Sequence, residues 1–211
     1  MKKFIFLAPY LLTLILLISS CSNNKNQNTT TINNNPIEKS TLVDQEGTFG
    51  VDTLNSNVEW LGEKPTGTHY GDIKIKKGFV STDKKGNILK GEFVLDMNTI
   101  NCTDLEGKKK LSIEGHLKDS DFFDTSKYPT ALFVIEKVEQ NTIMGMLTIK
   151  GISHPIKFDY DKVSPLTYKA EIIVDRTLFD IKYKSKSIFP ELGDHFINDD
   201  FKITLNPIIF K

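Results

Sequence analysis

The sequence predicts an all-β fold: an eight-stranded antiparallel β-barrel with one short helical insertion. Three observations carry this. Short runs of alternating apolar and polar residues recur between turn signals, and a period of two belongs to strands. Helix-forming sequence is confined to one interval, residues 105–117. Several of the runs are apolar on both faces, as at residues 131–135, which a sheet with one face in water does not explain. About eight strands in meander order suit an up-and-down barrel, whose interior at that count is just wide enough for side chains or one slender ligand. A two-sheet sandwich is the alternative arrangement.

Taken in order, Phe49 and Val51 open the first strand and residues 55–57 form a turn. Val58 and Trp60 share a face of the next strand, after which Gly62, Pro65, Gly67 and Gly71 interrupt the pattern. Ile73 and Ile75 alternate with Lys74 and Lys76, so one face is dry and the other wet. Gly78 marks a bulge or a close approach, and residues 83–87 read as a hairpin loop. Phe93 and Leu95 share a face of a strand that runs on to Met97 and Ile100. Thr103 and Asp104 are placed to cap the helical insertion, which Gly107 and Gly115 weaken. After Pro129 come Ala131, Phe133 and Ile135, then a turn at Gln140 and Asn141, then Ile143, Gly145, Leu147 and Ile149. Residues 151–155 read as a turn, followed by Ile156, Phe158 and Tyr160, then Ala170, Ile172 and Val174. Residues 177–199 are irregular, and Phe201, Ile203 and Leu205 begin the last strand.

Residues 1–20 read as an address. Lys2 and Lys3 precede an uncharged run from residue 4 to residue 18, too short for a bilayer span of about 20 residues but suited to a secretory signal. Ser19, Ser20 and Cys21 follow it directly. That order resembles a bacterial lipobox, which implies that Cys21 becomes an acylated N-terminus anchoring the chain to a membrane, each buried methylene contributing about 0.8 kcal/mol. Ser22, rather than Asp, favours the outer membrane by the same analogy. Residues 22–46 are rich in Asn, Thr, Lys and Gln and contain no aromatic residue, the composition of a disordered tether. The domain then occupies residues 47–211, long enough for one sizeable core.

With Cys21 acylated, Cys102 is left without a disulfide partner and reads as a small packing residue. The precursor has zero formal net charge, and loss of Lys2 and Lys3 with the signal leaves −2. No block of like charge stands out, which argues against nucleic-acid binding.

Four segments resemble the YceI-like proteins, which are lipocalin-like β-barrels: HLKDSDFFDTSKYPTALF at 116–133, GMLTIKGISHPIKF at 145–158, VDRTLFDI at 174–181 and DDFKITL at 199–205. The resemblance covers roughly residues 49–210. It implies a secreted or periplasmic protein that holds a polyisoprenoid or another long amphiphile in the barrel. Residues 60–71 depart from the usual opening of the family, which leaves the ligand's identity open.

On that reading the ligand site is the interior, lined by Trp60, Ile73, Ile75, Phe93, Leu95, Phe133, Ile135, Leu147, Phe158, Ile172, Ile203 and Leu205. Alternation alone does not separate a cavity from a solid core. Arg176, the only arginine, is a candidate clamp for a phosphate or carboxylate head group, or else a structural ion-pair partner. His69, His116, His154 and His195 lack local metal-ligand spacing. Asp119, Asp121 and Asp124 read as turn residues around Phe122 and Phe123, an aromatic pair that plugs one end of the fold. No nucleophile elbow, zincin motif or phosphate-binding loop is present. The expectation is therefore a non-enzymatic, cofactor-free lipoprotein that carries a long-chain isoprenoid or fatty amphiphile in the periplasm, anchored to the outer membrane. The alternative is an envelope interaction module with a solid core, and a homodimer is compatible with either.

Overall fold

Asp44 and residues 46–211 are described in the computed structural model; the signal segment, Cys21 and most of the tether lie outside the described residues. The strands are β1 (Gly47–Gly50), β2 (Val58–Lys64), β3 (Gly67–Thr82), β4 (Ile88–Cys102), β5 (Thr130–Glu139), β6 (Thr142–Ile149), β7 (Ile152–Ser164), β8 (Thr167–Asp175) and β9 (Asp200–Ile209), with helix α1 (Gly107–Lys118) between β4 and β5. All pairings are antiparallel, in the order β3, β2, β9, β8, β7, β6, β5, β4 and back to β3. That ring is a closed eight-stranded barrel. β1 is not a ninth stave. It pairs with the far end of β3, beside β2, and Val51 bridges to Phe210, so β1 and β2 form one stave broken by the turn at Asp52. Asp52 stabilises that break by accepting from Leu54 N–H at 3.2 Å and Asn55 Nδ2 at 2.9 Å.

Inward positions follow the pleat. Ile143, Gly145, Leu147 and Ile149 on β6 and Tyr168, Ala170, Ile172 and Val174 on β8 belong to or pack on one continuous apolar core. Two inward glycines are required by close approach. A Cβ on Gly71 would sit 1.8 Å from the Asn101 carbonyl oxygen, and one on Gly145 would sit 2.2 Å from that of Val134. Gly71 therefore does not end a strand; it lies inside β3, and only residues 65 and 66 separate β2 from β3. The turn between β6 and β7 is likewise shorter than the sequence suggests. Lys150 and Gly151 make it, both at positive φ, and Pro155 lies within β7.

Helix α1 begins without the expected cap. Glu106 occupies the N-cap and makes no side-chain cap bond, because Asp104 is engaged with His69 and Tyr70 N–H instead. The helix is tied down mainly by polar contacts. Glu114 accepts from Cys102 N–H at 2.8 Å, Lys110 donates to Asn101 at 2.7 Å, and Leu117 is its buried residue.

Candidate functional site

The barrel interior is not solid. Two apolar cavities of about 120 Å³ each lie along it. The upper one is walled by Ile75, Phe93, Phe133, Ile135, Phe158 and Ile172, among others, and reaches Tyr160, Tyr168 and Phe210. The lower one is walled by Trp60, Ile73, Met97, Phe122, Phe123 and Phe201 and reaches Arg176. Leu95, Ala131, Leu147, Val174 and Ile203 line both, so one ring of side chains forms a waist between the two cavities. From Tyr168 to Val174 the wall runs six residues, about 20 Å along the strand and about 15 Å along a barrel axis at the usual tilt. Aliphatic cavities of about 150 Å³ stay dry and accept a small hydrocarbon.

All twelve apolar lining residues expected from sequence, Leu205 included, border one cavity or both. Phe122 and Phe123 were expected as scaffold, yet they also line the lower cavity. The signal was present, since adjacent phenylalanines demand burial worth about 1.5–3 kcal/mol each. What it lacked was a direction. Phe122 stacks edge-on with Phe123 at 5.0 Å and Phe123 with Phe201 at 6.3 Å, so the pair closes the lower end of the barrel. Asp119 and Asp124 do serve the turns around them, accepting from Ser120 and Ser126, while Asp121 faces His116 at 3.6 Å.

Arg176 is 1% exposed. Its Nε donates to Asn198 O at 3.0 Å, Nη1 to Ile181 O at 2.8 Å and Nη2 to Ile197 O at 2.9 Å. Phe122 lies 5.7 Å beneath the guanidinium, and Asp199 is 3.7 Å from Nη2. Burial lowers the arginine pKa, and Asp199 and Asp175 oppose that shift. Three of the guanidinium's five N–H donors are thus spent on main-chain carbonyls of residues 181–198, which favours the structural alternative over a free head-group clamp, with its partners in residues 181–199 and not in the helical insertion. Its neighbour Asp175 caps the next 3-10 turn through Thr177 N–H at 2.9 Å.

A second polar cluster joins β3 to the start of the insertion. Asp104 accepts from His69 Nδ1 at 2.8 Å, Tyr70 N–H at 3.0 Å and Cys102 Sγ at 3.1 Å. Burial opposes its ionisation, but these donors win and hold its pKa down to about 2. Burial first, and then the Asp104 carboxylate, push the Cys102 thiol up. The arrangement is that of a fixed hydrogen-bond node, because a thiol facing a carboxylate is a poor nucleophile. The other histidines stand apart: His116 against Phe122 and Tyr183, His154 against Phe179. Among the described residues, no group of three or more His, Cys, Asp or Glu side chains is arranged to hold a metal ion.

Fold and site together define a lipocalin-like protein, a closed antiparallel barrel around an apolar slot with polar residues at its lower end. The YceI-like domain matches residues 49–207, and the chain belongs to that family. A UPF0312 protein of Staphylococcus aureus (strain USA300) is 40% identical over 48 residues, 23% of this chain and 28% of that protein. A UPF0312 protein of Staphylococcus epidermidis (strain ATCC 12228) is 29% identical over 103 residues, 44% of this chain and 60% of that protein. The chain therefore matches less than two thirds of the length of these curated relatives. Among solved structures, BcnA of Burkholderia cenocepacia aligns with a TM-score of 0.56 at 18% identity, covering 75% of this chain and 98% of that one. A polyisoprenoid binding domain from Saccharophagus degradans, implicated in plant cell wall breakdown, aligns with a TM-score of 0.51 at 10% identity, covering 77% and 97%. At such identities the likeness is one of fold.

Proposed function

We propose that the protein is a non-enzymatic carrier whose barrel holds the apolar chain of a long amphiphile, isoprenoid or fatty. The observation that carries this reading is the pair of cavities stacked on either side of the waist, with walls almost wholly apolar from Tyr168 to Phe122. Each methylene moved from water into such a slot contributes about 0.8 kcal/mol, so the chain supplies the affinity and the head group the orientation. The head sits at the lower end, where Arg176, Asn198 and Asp200 supply the polarity. The polyisoprenoid named for the Saccharophagus degradans domain supports the chemical class. Arg176 acts there chiefly through its charge, since most of its donors are occupied. The proposal extends to the rest of the chain: Cys21 is acylated, residues 22–46 are a tether, and the barrel works in the periplasm from the outer membrane.

Native mass spectrometry of protein purified without added lipid, followed by solvent extraction, tests the reading. A bound species with a long hydrocarbon chain is expected, displaceable by a fatty-acid probe. A barrel that comes out empty and takes up neither fatty nor isoprenoid probes would refute it. Localisation is tested separately: radiolabelled palmitate incorporation that survives Cys21→Ser would exclude that anchor.

A further inference from the structure

Closure of the barrel is uneven at two seams: β5 leaves β4 beyond Ile135, where it pairs with Gly91, and a longer gap lies between β7 and β8. β7 pairs with β6 throughout, from Thr142 opposite Asp159 to Ile149 opposite Ile152. Against β8 it pairs at Ser164 with Thr167, Lys162 with Tyr168, Asp161 with Lys169 and Tyr160 with Ala170, and there the pairing stops. The same register continued downward would set Asp159 against Glu171, Lys157 against Ile173 and Pro155 against Asp175, and none of these pairs forms.

The main-chain groups left over point into the seam. Tyr160 N–H donates to Asn141 on the β6 side, so Asp159, Lys157 and Pro155 face β8. Arg176 N–H donates to Asp199 on the β9 side, so Glu171, Ile173 and Asp175 face β7. One of those six positions is a proline without an N–H, a residue that strands accept at an edge and not inside a ladder. Ile173, at the lip, is 58% exposed. Directly behind the lip, Ile156, Phe158, Ile172 and Val174 line the upper cavity, and Val174 reaches the waist.

The two axial ends are less passable. Tyr168 crosses the upper end, donating its hydroxyl to Gly86 O at 3.0 Å and packing edge-on against Tyr160 and Phe210. Phe122 and Phe123 cross the lower end beneath the Arg176 staple. Opening either end breaks buried contacts; the foot of the β7–β8 seam is covered by Phe179, packed edge-on against His154 at 5.4 Å, but between that contact and Tyr160 there is no paired ladder to break.

We propose that this unpaired half-seam is a lateral portal through which an alkyl or isoprenoid chain enters and leaves the interior. The inference rests on the reading of the interior as a chain site. Two measurements on the full chain test it. In the ligand-free protein, amide hydrogen exchange at Lys157 and Ile173 is expected to run at least about a hundredfold faster than at Asp161 and Lys169, which lie in the paired half. In the double variant K157C/I173C, oxidation closes the seam, because a paired position brings Cα atoms to about 5.5 Å, within disulfide range. Stopped-flow uptake and release of cis-parinaric acid should then slow at least about tenfold, recover on reduction, and leave the equilibrium occupancy unchanged. Protection at Lys157 and Ile173 equal to that at Asp161 and Lys169, or uptake at the wild-type rate by the oxidised variant, overturns the portal. If the disulfide fails to form, the exchange rates decide. A wild-type barrel that holds no probe at saturation sinks the chain-site reading and the portal with it, while slow exchange at the two amides sinks the portal alone.

Discussion

Replacing Arg176 with Met tests whether the lower end of the barrel is held by this one side chain. Met keeps most of the apolar stem and removes the three donors now bonded at 2.8–3.0 Å to the carbonyls of Asn198, Ile181 and Ile197. Hydrogen bonds to a charged group contribute about 1.5–3 kcal/mol each. The fully buried Ile181 is poorly placed to recover its bond from water, whereas Ile197 and Asn198, being partly exposed, recover some of theirs. Asp199 would also lose the cation beside it. A loss of about 3–5 kcal/mol follows, in line with breaking other buried charged networks, against a total of about 5–15 kcal/mol for a domain. Arg176→Lys keeps the charge without the planar fork and should lose about half as much. Equilibrium urea unfolding reads both variants, with the midpoint falling and the slope unchanged. A loss under about 1 kcal/mol for Arg176→Met would refute the structural assignment. If that variant instead kept its stability and selectively lost affinity for a charged amphiphile over an uncharged one, the head-group clamp would be restored.

Other predictions follow from the same contacts. Ala131→Leu fills the waist shared by the two cavities; it should change stability by less than about 1 kcal/mol yet weaken long-chain binding at least about tenfold, measured by displacement of a fluorescent fatty acid, and unchanged affinity would mean that the chain does not cross the waist. Affinity for a homologous fatty-acid series should rise about fourfold per methylene until the slot is filled and then level off, and a flat series in titration calorimetry would exclude the slot. Gly71→Ala should destabilise by about 2–3 kcal/mol in thermal unfolding, because its methyl would meet the Asn101 carbonyl oxygen at 1.8 Å and the Trp60 ring at 2.9 Å. Asp104, with its pKa lowered to about 2 from 3.8, binds protons more readily when unfolded; its contribution of up to about 2 kcal/mol is complete above the unfolded value and drains away as pH falls through about 2, so Asp104→Asn should flatten the acid limb of the stability curve, and an unchanged limb would contradict the assignment.

The barrel was legible because its signal is local. Once Phe133 is inward, the pleat sets Ala131 and Ile135 inward as well, and cross-strand pairing carries the same face to Leu95 and Leu147. Closure into a barrel was legible too, but side-chain and main-chain contacts between distant strands are not local, and there sequence reasoning fell short. Residues 83–87 form a turn that can be read from Asp83, whose carboxylate accepts from Lys85 and Asn87. Gly71 reads as a break because the Asn101 carbonyl that requires a glycine there comes from a strand 30 residues away. Asp104 reads as a helix cap because Ser, Thr, Asp and Asn before a helix usually are, but His69 and Tyr70 arrive from β3 and bind it first. Pro155 reads as part of a turn because proline is rare inside strands; its place in β7 becomes intelligible once β8 is seen to form no ladder opposite it.

Arg176 shows the same limit at a single residue. In a chain whose other 26 basic residues are lysines, one arginine is itself a signal. Arginine differs from lysine in its planar five-donor fork and in the lower cost of taking it out of water, so its use here indicates a buried, multi-partner site. That much could be inferred, and the residue is almost fully buried. The identity of the partners could not be, because they are main-chain carbonyls with no sequence signature, supplied by a segment without regular periodicity. A carbonyl carries no formal charge, so a guanidinium bonded to three of them stays cationic at the lower end of an apolar slot. The same side chain that fastens residues 181–198 thus leaves a cation, its field partly offset by Asp199 at 3.7 Å and by Asp200, where an amphiphile's head would rest. Arg176→Lys separates the two roles: the field remains while the staple is weakened, so binding of an anionic amphiphile should survive under conditions where the variant is still folded.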